Sequence, residues 1–254
     1  GGIGTAESII FPMSDGVPLF IVEMARRGLD ADPASQIGLK AFSPRLQATL
    51  VSRLERLNEP ARLLAHGIAA LGRECGLQLI SAVAGMAETE AMLALDELWQ
   101  RRIVRETGSG KYYFSHECLG EAALLDLSPV RRRWLHLQAA RALEQSGADQ
   151  GLIAEHYVEA GEINRAAQAF SKAAQHAASL FALEEARSLV EQALALEERP
   201  GYELHELNGD ILSLMGLLRQ ASEAYGLALV ACQAADWQAQ AQLHGGRRHR
   251  VARG

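Results

Sequence analysis

The chain has 254 residues, 48% of them hydrophobic, and a formal charge of -6, enough for one large domain or two to three small ones with a sizeable core. That acidic balance argues against bulk electrostatic attraction to nucleic acid or an anionic membrane, while leaving room for a local basic patch. No apolar run nears the roughly 20 residues that span a bilayer, no signal peptide is read, and three scattered cysteines (Cys75, Cys118, Cys232) make no disulfide framework, so a cytoplasmic protein is expected.

The opening "GGIGTAES" lacks the lysine that a phosphate-binding loop requires, and it reads as a linker. "GVPLFIVEMARRG" reads as a helix opened by Pro18 and stopped by Gly28. Ser43 and Pro44 start the next helix, with Leu46, Leu50, Leu54 and Leu57 on one face. Asn58 and Pro60 restart the chain into a helix carrying Leu63, Leu64, Ile68 and Leu71. A short helix around Leu77 to Val83 follows, then one from Glu88 to Arg101 with an expected apolar stripe of Met92, Leu95 and Trp99. "RIVRE" and "KYYFS" flank "TGSG", the pattern of a two-stranded hairpin. Three helices followed by a hairpin describe a winged helix.

After Pro129 the whole chain reads as helix. Ala154, Tyr157, Ala166, Phe170 and Ala173 have the small-large spacing of a tetratricopeptide helix pair. Ala186, Val190 and Ala193 repeat its second part, and Gly209, Leu212, Ala221 and Tyr225 repeat it again. Small residues let neighbouring helices approach, and an aromatic ring fills the gap left between them. "GGRRHRVARG" reads as a disordered basic tail. The expected fold class is therefore mainly α: a winged-helix module with a small β-hairpin, followed by a tetratricopeptide-like α-helical repeat array. The expected divisions are 1–42, a linker and helical remnant; 43–127, the winged helix; 128–244, the repeats; and 245–254, the tail.

Chemistry concentrates at "SHECLGE", residues 115–121. A zinc protease helix needs a second histidine four residues after the first, and Gly120 stands there. Cys118 follows His116 by two, a spacing that points helix side chains apart, so it reads as a small buried hydrophobe. Ser115 reads as a helix N-cap, and Glu117 and Glu121 suit the positive end of that helix. No catalytic residue and no metal ligand set follow from this. The helix that would read DNA carries Glu88, Glu90, Asp96 and Glu97, which phosphates would repel, so direct nucleic-acid binding is disfavoured. Arg131, Arg132 and Arg133 read as solvated charges near a helix start.

"GVPLFIVE", "FSPRLQATLVSRLERL" and "YYFSHECLGEAALLDLSPVRRRWLHLQAARALE", in that order, resemble the C-terminal half of the STAND class of signal-transduction ATPases. The nearest likeness is to bacterial multidomain regulators, including large LuxR-type activators and ATPase-coupled cyclases, over residues 16 to 197. Two motifs carry the implied site. Gly16-Val17-Pro18-Leu19 is similar to the Gly-x-Pro motif, so the resemblance implies that Pro18 packs near a nucleotide base. Ser115-His116-Glu117 falls where the class has Met-His-Asp, so it implies that His116 senses the phosphates of bound ADP. This chain departs from that motif at Ser115 and Glu117, and a structural histidine at the hairpin-to-helix junction is the competing reading. The 1–42 stretch would then be a remnant of the ATPase lid.

With neither a phosphate loop nor an acidic strand end for magnesium, the chain is not expected to be an enzyme itself or to hold a cofactor alone. ATP or ADP is expected in the full-length parent. The expected function is the regulatory and protein-interaction portion of a nucleotide-switched signalling ATPase that regulates transcription. Its expected partners are the parent's ATPase core and output domain, with a protein or small-molecule inducer on the repeats, and no membrane. The alternative is a DNA-binding winged-helix protein with a helical dimerisation tail.

Overall fold

Asn58 sets the start of the helix around which the first half of the chain is built. Its side-chain oxygen accepts the Ala61 amide at 2.8 Å, and Pro60 occupies the first turn, where its missing N–H costs nothing. The computed structural model describes residues 44–233. The expected linker and lid remnant at 1–42 with Pro18, the expected helix-starting Ser43, residues 234–244, the basic tail and the side chain of Leu46 lie outside the described residues. What is described is mainly helical with one two-stranded hairpin, and it divides into two compact units after Leu143.

The first unit runs α1 (Pro44–Glu55), α2 (Glu59–Leu71), α3 (Leu77–Ala84), α4 (Glu88–Gln100), β1 (Val104–Glu106), β2 (Tyr112–Phe114), α5 (Glu117–Leu125) and most of α6 (Pro129–Gln145). Helix α2 is its centre, packing against α3, α4, α5 and β2. Its small residues make that possible: Ala61 and Ala65 are buried beside Leu64 and Ile68, and a Cβ on Gly67 would crowd the Ile80 carbonyl and Ala84 at 3.3 Å. Leu50, Leu54 and Leu57 are buried as their spacing predicts, each contributing about 1.5–3 kcal/mol relative to exposure. On α4 the expected stripe is wrong in two of three places. The buried set is Ala91, Ala94, Leu95 and Leu98, while Met92 and Trp99 face solvent. Alanines turned toward α2 bring the two helices closer than methionine and tryptophan would allow.

The hairpin is antiparallel, with Val104 opposite Phe114 and Glu106 opposite Tyr112. Cys75 adds a single bridge on the other side of β2, exchanging both backbone bonds with Tyr112 at 2.8 and 3.1 Å. Gly110, at φ 73, closes the turn, its amide donating to Thr107.

The second unit contains α7 (Gln150–Ala160), α8 (Ile163–Ser179), α9 (Leu183–Leu196), α10 (Tyr202–Leu214) and a further helical stretch at 218–233. Helix α8 packs on α7 and α9, and α10 packs on α9. The residues between them are those the repeat spacing names: Ala154, Tyr157, Ala166, Phe170, Ala173, Ala186, Val190 and Ala193 are all buried. Leu212, Ala221 and Ala224 form a smaller cluster, with Leu217 and Tyr225 half-buried against it. Tyr225, expected between helices, thus keeps one side open, because its hydroxyl reaches out to Asp210.

Candidate functional site

His116 sits where β2 ends and α5 begins. Its backbone is extended (φ -139, ψ 134) and its carbonyl accepts the Leu119 amide, which makes it the N-cap residue of α5. Its side chain makes no capping bond, and the ring is half-buried. Ser115 does not cap α5 as expected. Its hydroxyl instead donates to the Arg102 carbonyl at 2.9 Å, across the hairpin, and its amide donates to Ile103. Arg102 is where α4 stops: at φ 54 it is left-handed, its amide donates to Trp99, and the Ile103 amide closes back onto Leu98. The junction carrying His116 is therefore tied to the end of α4 through Ser115.

The neighbours separate as helix geometry requires. Glu117 is exposed in the first turn of α5, while Cys118 is buried. Burial pushes the Cys118 thiol up to about 11, so it stays protonated and unreactive near neutrality. Beside the junction lies an open groove of about 510 Å³ between α2, β2 and α5. Ile68, Phe114 and Leu124 give it an apolar floor, and Glu74, Glu117 and Glu121 surround it, with Arg73 the one cation among the described residues that line it. The amide end of α5 favours an anion at His116, while these carboxylates oppose one.

Of the two residues that the motifs single out, His116 is described and Pro18 lies outside the described residues. Two further polar features escape sequence reasoning. His66, on the otherwise apolar face of α2, is buried with Nε2 3.6 Å from the Asp126 carboxylate, just past α5. Burial lowers its pKa, the nearby Asp126 charge raises it, and Arg131 and Arg62 lower it further. Arg132, read from sequence as solvated, is half-buried and donates to the Leu124 carbonyl at 2.8 Å, satisfying the end of α5. A lone histidine among alanines was the only signal for the first, and nothing marked the second. Among the described residues no three His, Cys, Asp or Glu side chains are grouped to hold a metal, and no helix is long and apolar enough to cross a membrane.

No family model matches the chain. It is similar to an uncharacterized protein of Rhizobium meliloti (strain 1021), 29% identical over 198 residues. The match covers 72% of this chain and 19% of that protein, so the chain spans about a fifth of the length of the curated relative it matches.

Proposed function

We propose that the chain is the regulatory and protein-interaction portion of a nucleotide-switched signalling ATPase of the STAND class, most simply one that regulates transcription. In this reading residues 43–127, with α1 to α5 and the hairpin, are its winged helix, and residues 128–244, from α6 on, are tetratricopeptide-like repeats that take a partner or inducer. The observation that carries it is the station of His116: a half-buried histidine, its Nε2 covered, on the N-terminal end of α5 at the junction of hairpin and helix. With Nε2 covered, the Nδ1 side of the ring would be the one to donate to a phosphate oxygen, the helix end adding to the attraction. The ADP-bound parent would be held closed by that contact, and a signal on the repeats would favour the open form. A matched relative much longer than the chain is in keeping with a piece of a large multidomain protein.

The test is ADP retention by the longer polypeptide carrying this segment. His116→Ala should weaken ADP binding about tenfold, the cost of one charge-assisted hydrogen bond, without altering the melting temperature. Unchanged ADP affinity would remove the basis for this reading. The DNA-binding alternative finds no support on α4, whose exposed Glu88, Glu90 and Asp96 would face the phosphates.

A further inference from the structure

The solvent face of α4 is unusual in composition. Met92 is 52% exposed, Leu93 70% and Trp99 50%, and Glu88, Thr89, Asp96 and Gln100 are exposed on the same helix. At 3.6 residues per turn, these seven side chains fall in one sector of about 140°. The opposite side, Ala91, Ala94, Leu95 and Leu98, is buried. The sector contains no cation. Arg101, beyond the helix end, is paired with Glu97 at 2.9 Å, whereas Glu88 and Asp96 form no ion pair with any described residue.

We propose that this face of α4 is a docking surface for a protein partner that presents an apolar stripe flanked by lysine or arginine. Methionine and tryptophan are residues enriched in interface cores, and exposed apolar clusters of this kind mark interaction sites. The unpaired carboxylates choose the sign of the partner: they repel nucleic acid and attract basic flanks, setting orientation and association rate. They also disfavour a second copy of the chain, since pairing two such faces brings like charges together. The inference does not depend on a nucleotide at His116, because α4 presents this sector whether or not that reading holds.

The experiment uses the full chain labelled with fluorotryptophan, the Trp99 resonance being assigned with Trp99→Phe. Two synthetic amphipathic peptides share one leucine and tryptophan stripe, one flanked by lysine and arginine and the other by glutamate. The basic peptide should shift the Trp99 resonance saturably and the acidic one should not. Leu93→Ser should weaken the basic peptide about tenfold, as loss of an interface anchor does. Glu88→Lys with Asp96→Lys should reverse the preference between the two peptides. All three positions are exposed, so circular dichroism should be unchanged. Equal binding of both peptides, a response at Trp134 or Trp237 in place of Trp99, or a preference that survives the charge reversal would overturn the proposal. So would self-association abolished by Leu93→Ser, which would give the face to a second copy.

Discussion

The ring of Tyr225 lies directly over Gly209, so close that a Cβ built on the glycine would stand 2.6 Å from the tyrosine Cε1. The Tyr225 hydroxyl then donates to Asp210 at 2.7 Å, which fixes the ring in that place. This contact joins α10 to the helical stretch at 218–233, and it decides the sign of a simple substitution. In an ordinary helix interior, Gly→Ala gains about 1 kcal/mol. Gly209→Ala should instead lose about 1–3 kcal/mol, the cost of forcing an atom into a packed site. Urea unfolding checks it, and a stabilised variant would mean that the ring does not rest on the glycine.

Phe170 is the large side chain of the alanine-lined α8 and is only 4% exposed. Its truncation to alanine should cost about 3–5 kcal/mol, because the small neighbours have little side chain with which to fill the hole. A melting curve unmoved by Phe170→Ala would contradict the packing of α8 against its neighbours.

His66 makes stability depend on pH. Burial holds its folded pKa below the ordinary 6.5, with Asp126 only partly compensating. A base with a depressed folded pKa binds protons more readily when unfolded. Stability should therefore be full above about pH 6.5, decline as pH falls below it, and level off beneath the folded pKa. His66→Gln should flatten that part of the pH profile, measured by urea unfolding in a series of buffers, relative to the unmodified chain. An identical slope in the variant would assign the pH dependence to other groups.

Ser115 and Arg102 act as a pair. Ser115→Ala removes the hydroxyl that donates to the Arg102 carbonyl and should cost about 0.5–1.5 kcal/mol. Arg102→Gly relieves a left-handed residue, worth about 1–2 kcal/mol of conformational energy, less the extra flexibility that glycine brings to the unfolded chain. The net result should be neutral to modestly stabilising by thermal melting. Clear destabilisation would show that the arginine side chain contributes more than its backbone costs.

Much of the helical order could be read directly, because it rests on local signals. Asn58 with Pro60 marks a helix start that needs only its own backbone, and "TGSG" between two β-rich runs marks a turn. The alanine and aromatic spacing of 154–193 was legible because small residues at helical spacing mark the faces on which neighbouring helices pack closely. Mainly helical architecture with one small hairpin follows from those patterns alone.

What could not be read is what depends on which neighbour a helix meets. On α4 the heavier apolar residues suggested the inner face, yet the alanines lie inside, because close approach to α2 rewards small side chains and leaves Met92 and Trp99 outside. Ser115 beside a helix start looks like a cap, and only the folded hairpin brings the Arg102 carbonyl within its reach. His66 and Asp126 are 60 residues apart in the chain, and Arg132 reaches back to Leu124, contacts that exist only once α2, α5 and α6 have packed. Local backbone preferences and hydrophobic period are written into short stretches of sequence. Which polar groups find partners, and which apolar face is left to solvent, is decided by tertiary packing, because those free energies belong to pairs of residues distant in the chain.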